Sequence, residues 1–264
     1  MKIRHINKVI SNMGIGVTNP LHCTLDNGVS VIFKTFHNEQ GNLTLANEMI
    51  SYRIAQRLGL TIPNAGIAQI DDDTTIMIND RNIPKGIGFF STRIGKAITS
   101  GISQSLLLKR CTNRNELPKF IMFDHLIYNR DRNPGNILYS MEDEKVYIID
   151  HSHCFNLQCI WDEIQLNRCI KENDFKDTLI MERNYDMYRK FIGIDNVNLP
   201  IFLEIKDEFV KMLDRSFFIQ IINELPDEWG VGKKDGEALA DYLEYRLNNL
   251  ESMCKIIINY IQGR

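Results

Sequence analysis

The spacing of apolar residues changes once along this chain, and that change limits what it can fold into. In the first third, apolar side chains alternate over short runs, the pattern of half-buried strands. A strand over 21–25 leads into Asp26-Asn27-Gly28, a hairpin turn because Asn-Gly tolerates positive φ at both central positions. The chain then returns as a strand over 29–36. One helix is expected over 43–58, with Gly59 just past its end and Leu60 supplying the hydrophobic contact beyond. Further strands fall near 67–70 and 74–78, with Asp71-Asp72-Asp73 as the turn between them. After Pro84-Lys85-Gly86 apolar residues recur at helical spacing: 106–108, 117–128, 201–224, and a last helix over 237–261. That last helix carries Leu239, Leu243, Leu250, Cys254, Ile257 and Ile261 along one face, which reads as core. The fold class is therefore α+β, two-lobed, with a strand-rich N-terminal lobe over 1–88 and a helical C-terminal lobe over 89–264. A hinge near 84–95 would join them, and the cleft between such lobes is a favoured ligand site.

Composition excludes several classes of function. The chain has 264 residues, enough for a substantial core, with 44% hydrophobic and 25% charged residues. Lys and Arg total 31 against 34 Asp and Glu, a net charge of −3, so no overall basic field exists to attract nucleic acid or an anionic membrane. MKIRHINKVI lacks the apolar core of a signal peptide, and no run approaches a membrane span. The six cysteines are sparse and read as reduced thiols of a cytoplasmic protein. HSHC at 151–154, followed by Cys159, superficially resembles a zinc cluster, but the spacing matches no usual pair-plus-pair pattern.

One stretch demands more than a turn. The apolar FIMFDHLIY is followed at once by NRDRNPGN, residues 129–136. Pro134-Gly135 suits the centre of a type II turn, with Gly supplying positive φ. Strands over 136–139 and 145–150 would then pair as a hairpin centred near Asp143, setting Asn136 across from Asp150 or its neighbour. Opposed Cβ atoms in such a pair are only about 5 Å apart. An amide oxygen and a carboxylate thus meet at the open end of one hairpin, a hard-oxygen pair of the kind Mg²⁺ takes together with substrate phosphates and water. Asp131, on the loop before the hairpin, is better placed as a base or as an orienter of an attacking hydroxyl. The D-x-x-x-x-N spacing, with a carboxylate ending the following strand, is what phosphoryl transfer uses in protein kinases.

The sequence resembles the HipA-like kinases, a branch of the protein-kinase-like superfamily, in a short form made of the kinase core alone. The resemblance covers most of the chain. It is carried by VIFKTF, LANEMISYRIAQRLGL, FDHLIYNRDRNPGNIL and YIIDHSHCF, with LPDEWG and DYLEYR later on. It implies an ATP- and Mg²⁺-dependent kinase whose acceptor is a hydroxyl, Ser or Thr of a protein. On this resemblance Asp131 matches the catalytic-loop Asp, and Asn136 and Asp150 match the metal-binding Asn and Asp. Lys34 matches the strand Lys that holds nucleotide phosphates, and Glu48 its helix partner. His151-Ser152 stand in place of the usual Phe-Gly, Asn129 in place of the usual His, and Asn133 where many kinases place Lys. The N-terminal loop is SNMGIGVTNP, in which Gly16, Thr18 and Asn19 offer backbone N–H groups and a hydroxyl to phosphates.

The patterning supports two of these roles independently. Lys34 shares a strand face with Ile32 and Phe36, and Glu48 shares a helix stripe with Leu45, Tyr52 and Ala55. A carboxylate buried there needs a cation, and Lys34 is the candidate. Asp124, inside the apolar helix, reads as structural, bonding the backbone of the catalytic loop. Two other readings stand beside the protein kinase: a non-catalytic module that binds nucleotide or a partner, and a lipid or small-molecule kinase.

Overall fold

The structure is a computed structural model that describes residues 2–14, 18–78, 83–99, 102–194 and 197–263. The N-terminal part holds β1 (Arg4–Asn12), β2 (Leu21–Leu25), β3 (Ser30–Lys34), α1 (Leu43–Arg57), β4 (Ala65–Ile70), β5 (Thr75–Ile76) and β6 (Gly86–Thr92). The strands run in the order β2-β3-β6-β4-β1-β5, and β1 also pairs with β2, so the sheet closes on itself. Its enclosed face buries Ile6, Val9, Leu21, Cys23, Val31, Phe33, Ala68 and Phe90. The alternation in β2, with Leu21, Cys23 and Leu25 buried and the residues between them less so, is the period-two pattern at work. On another face Leu45, Ala46, Met49 and Tyr52 of α1 pack with Ile67, Phe89 and, from far down the chain, Trp229. The Trp229 indole N–H donates to the Ile87 carbonyl at 2.8 Å.

The C-terminal part is mainly helical. Its helices are α2 (Gln104–Arg110), α3 (Leu117–Leu126), α4 (Glu163–Glu172), α5 (Leu179–Ile192), α6 (Leu199–Met212), α7 (Arg215–Asn223), α8 (Lys233–Asn248) and α9 (Leu250–Gln262). A small sheet, β7 (Ala97–Ile98), β8 (Ile137–Ser140) and β9 (Val146–Ile148), lies among them. Every residue of α3 except Lys119 is buried, as expected of a helix apolar on all sides. It packs against α5, α6 and α9, with Phe120, Ile121, Phe123 and Leu126 at the centre of the largest core. Among the described residues no helix is long and apolar enough to cross a membrane.

Several local expectations need correction. The segment expected to be a hinge, 84–95, is largely β6, paired with β3 on one side and β4 on the other. A division after residue 88 would therefore cut an internal strand. β6 escaped notice because Gly88, Phe89 and Phe90 are buried in succession, so it lacks alternation. The expected helix over 201–224 is two helices, since Asp214 accepts the Phe217 N–H at 2.7 Å and starts a new one as N-cap. The last helix begins earlier and also breaks, at Asn249, whose side chain donates to the Tyr245 carbonyl at 2.8 Å. Only Gly28 of the Asn-Gly pair has positive φ. Gly135 does not adopt positive φ, so Pro134–Asn136 is a 3₁₀ turn, not a type II turn, capped by Asn133 Oδ1 accepting the Gly135 N–H at 2.7 Å.

Gly88 marks the tightest crossing in the sheet. A Cβ added there would lie 2.3 Å from the Lys34 carbonyl oxygen and 2.4 Å from the Phe33 ring. Neither neighbour can yield without moving β3. Gly88→Ala is expected to cost about 1–3 kcal/mol of stability, the scale of overpacking a full core. A thermal melt should show Tm lowered by several degrees, and an unchanged Tm would contradict the crossing.

Candidate active site

The NRDRNPGN stretch leaves the C-terminal end of α3 and is held by its own side chains. Asn129 Oδ1 accepts the Asp131 N–H at 2.9 Å, and its amide group donates to Asp124 Oδ1 at 2.9 Å. The Asp131 carboxylate takes one amide on each oxygen: Asn133 Nδ2 at 2.8 Å and Asn136 Nδ2 at 3.0 Å. Its side chain is 44% exposed, with His153 Nδ1 3.8 Å away. The hairpin register sets Ile137 opposite Ile148, and the Ile149 N–H donates to the Asn136 carbonyl at 3.1 Å. Asn136 thus faces the residue before Asp150, as the sequence led us to expect. Asp150 itself has a φ of 55°, a left-handed turn that Asp tolerates, and there the chain leaves the strand.

The ammonium of Lys34 bonds Glu48 Oε1 and lies 2.9 Å from Asp150 Oδ1. Three elements meet on it: β3, α1 and the end of the hairpin. Lys34 and Glu48 are almost fully buried, at 9% and 3% side-chain exposure. Burial acts against the charged lysine, but the Asp150 and Glu48 carboxylates outweigh it and hold the ammonium above its ordinary pKa. Burial likewise opposes ionisation of Asp150, yet Lys34 and the Ser152 hydroxyl hold its carboxyl below the usual range. Glu48, the deepest of the three, is pushed up by burial against the pull of Lys34. Its second oxygen accepts the His151 N–H at 3.0 Å.

Asp124 is wholly buried and bonds side chains, not the loop backbone that was expected. It takes two bonds from the Arg132 guanidinium, at 2.7 and 3.0 Å, and the Tyr188 hydroxyl at 3.0 Å. Arg132 also reaches His151 Nε2 at 3.1 Å. His151 is buried beside that cation, and both effects keep its pKa well below the ordinary value, so it is the neutral acceptor. Next to Glu48, Asn47 ties α1 to the chain after Asp150. Its amide donates to the carbonyls of Ser152 and Gln158 at 2.7 and 2.8 Å and accepts the Trp161 indole N–H at 2.8 Å. Sequence inspection missed Arg132 and Asn47. The one available signal was Asp124, a carboxylate in an apolar helix that had to have a buried donor.

Lys34, Glu48, Asp131, Asn136 and Asp150 all line one cavity of about 590 Å³ between the two parts. Tyr52 and Phe89 from one side and Leu138 and Ile148 from the other give it apolar walls. Thr18 is buried and lines the cavity. Asn19 is exposed, turns the chain with a φ of 45°, and is not among the lining residues. Gly16 lies outside the described residues. Among the described residues no group of three or more His, Cys, Asp or Glu forms a complete metal cage. The donors present suit a different kind of ion. Both amide hydrogens of Asn136 go to Asp131, and Asp150 Oδ1 serves Lys34 and Ser152. Asn136 Oδ1 and Asp150 Oδ2 are left as two hard oxygens in the cleft, which fits Mg²⁺ completed by phosphate and water.

The family profile described as HipA-like kinase matches residues 6–190. The chain belongs to the HipA-like kinase family. No match is found among curated proteins. Among solved structures, the Helicobacter pylori proinflammatory kinase CtkA is similar over 100% of both chains, with a TM-score of 0.60 at 12% identity. The Golgi casein kinase is similar over 96% of this chain and 72% of its own, with a TM-score of 0.51 at 12% identity. A form of it with Mn/ADP bound gives a TM-score of 0.50 over the same shares, also at 12% identity. At these identities the likeness is one of fold.

Lys34→Met removes the ammonium shared by Glu48 and Asp150 and leaves two carboxylates facing each other. The expected loss is about 3 kcal/mol near neutral pH, the lower end for breaking a buried pair, because Asp150 is partly exposed. The sign with pH follows from the shifts. In the parent, Asp150 titrates below its unfolded value, so its contribution is present above about pH 4 and is lost on acidification below that. In the variant both carboxylates titrate above their unfolded values, so its deficit is largest at neutral pH and shrinks toward pH 4.5. Melting curves of both proteins from pH 7.5 to 4.5 measure this; a gap that widens on acidification would overturn it.

Proposed function

We propose that this protein is a two-lobed, protein-kinase-like enzyme that binds ATP with Mg²⁺. It transfers the γ-phosphoryl group to a hydroxyl, that of Ser or Thr in a protein acceptor. The observation that carries this reading is the convergence of Lys34, Glu48, Asp131, Asn136 and Asp150 on one cavity, from strand, helix, loop and hairpin. On this reading the N-terminal lobe extends through β6, to Thr92. The apolar walls formed by Tyr52, Phe89, Leu138 and Ile148 suit a flat base. The Golgi casein kinase with Mn/ADP bound supports a nucleotide and a divalent cation as ligands for a protein of this fold.

Each residue then has a task. Lys34, held by Glu48, neutralises phosphate charge in a site that already sustains its ammonium form. Thr18, with Gly16 and Asn19 in the same loop, offers donors to the phosphates. Asn136 and Asp150 would supply the oxygens that hold Mg²⁺, which would offset phosphate charge there. Asp131 orients the acceptor hydroxyl and takes its proton. Asn133 and Asn136 each donate to that carboxylate, which fixes its direction without removing its charge. Chemistry of this type rests on positioning and electrostatics, so few groups suffice.

Asp131→Asn keeps the side chain's size, and its oxygen can still accept from Asn136 Nδ2 while the new NH2 faces the exposed Asn133, but the proton acceptor is lost. The variant is expected to bind Mg-ATP as the parent does by calorimetry, yet to transfer phosphate at least about 10²-fold more slowly to itself or to lysate proteins. Equal rates would remove Asp131 from catalysis. A parent that binds Mg-ATP and transfers to nothing would make the chain a nucleotide-binding module.

A further inference from the structure

The Arg132 guanidinium has five N–H donors, and the structure finds an acceptor for every one. Nε and Nη2 take the two oxygens of Asp124. Nη2 also reaches His151 Nε2. Nη1 donates to the Asn136 carbonyl at 2.9 Å and to the Ile149 carbonyl at 3.0 Å. Those two carbonyls belong to paired residues at the open end of the hairpin, where the Ile149 N–H also bonds the Asn136 carbonyl. One belongs to a residue whose side chain points a hard oxygen into the cleft, and the other is joined by a peptide bond to Asp150. Arg132 also follows Asp131 directly, and its own N–H donates to Asn184 Oδ1 at 2.9 Å. One buried side chain, 1% exposed, thus ties the catalytic loop to both strands of the hairpin.

Stability alone does not account for this arrangement. A buried ion pair such as Asp124–Arg132 contributes little net stability relative to apolar side chains of similar volume. A lysine would neutralise Asp124 equally well, but its three donors are not arranged in a planar fork that can span two carbonyls as well. The Ile149 N–H already bonds the Asn136 carbonyl; what an arginine adds is one planar group that also holds the Ile149 carbonyl, just before Asp150, to that pair and to Asp124.

We propose that Arg132 is a positioning residue for the metal-holding end of the site: by holding the Ile149 carbonyl, and with it the peptide that leads into Asp150, against the Asn136 carbonyl, it sets how Asp150 is presented beside Asn136 and thereby the affinity for the divalent cation. The proposal rests on the Mg-ATP reading given above. It differs from that reading in assigning the control of metal affinity to a residue that never touches metal or nucleotide.

The test is nucleotide binding by calorimetry, first in EDTA and then across a Mg²⁺ titration, on the parent and on Arg132→Lys. Melting temperatures are recorded alongside. The variant should bind nucleotide in EDTA within about twofold of the parent. Its half-saturating Mg²⁺ should rise about 10- to 100-fold, the scale on which residues supporting metal ligands act. A purely structural role would lower Tm and leave the Mg²⁺ requirement where it was, and that result overturns the proposal. If Arg132→Lys does not fold, Asp124→Asn/Arg132→Met removes the pair without leaving a buried charge, and the same rise is expected of it. A parent whose nucleotide binding ignores Mg²⁺ overturns the functional reading and the proposal together. A metal-dependent parent with an equally metal-dependent variant overturns the proposal alone.

Discussion

An ammonium group without water around it must be surrounded by negative charge, and this requirement organises the protein. Lys34 sits at the end of β3 with Glu48 and Asp150 as its partners. Isolated, any of the three would be expelled from the interior or would give up its charge. Together they hold a strand, a helix and a hairpin from distant parts of the chain against one another. The closed sheet exists to carry that lysine inward. Gly88 lets β6 pass close enough to β3 for the strand to sit where it does.

The triad is one end of a longer run of polar contacts. From Lys34 it passes to Glu48, from Glu48 to the backbone of His151, through the His151 ring to Arg132, and from Arg132 to Asp124 and Tyr188. Every member from Lys34 through Tyr188 is buried, with Asp150 half-buried at the edge, and neighbouring members satisfy one another. Such networks are costly when incomplete and rigid when complete. In the run as a whole, the reactive-looking groups are those left at its edge: Asp131, Asn136 Oδ1 and Asp150 Oδ2.

Much of this was legible in the sequence where the signal is local. The pairing of Asn136 with the neighbour of Asp150 follows from strand lengths on either side of a polar turn, and the register agrees. The Lys34–Glu48 pair follows from two polar residues on apolar faces. Helix α1 ends at Gly59 because only a residue free to adopt positive φ, here 66°, closes it that way. Legibility failed where tertiary contacts decide. The Gly88-Phe89-Phe90 run has no alternation because it is covered on both faces, so a central strand looked like a connection. The helix breaks at Asp214 and Asn249 depend on caps that leave the apolar stripe continuous. Arg132 looks in sequence like any solvated residue of a polar turn, and nothing local reveals that it is buried.

Helix α1 is fastened on more than one side. Asn47 binds the segment after Asp150, Arg53 pairs with Glu224, and Arg57 donates to the Met212 carbonyl at 3.0 Å. Swinging α1 outward would sever the three bonds of Asn47 alone at about 1 kcal/mol each, before the ion pairs are considered. A difference of about 3 kcal/mol leaves the swung-out form below roughly 1% of molecules. The resting population is therefore already assembled. Any factor that swings α1 outward has to favour that form by more than this difference in free energy.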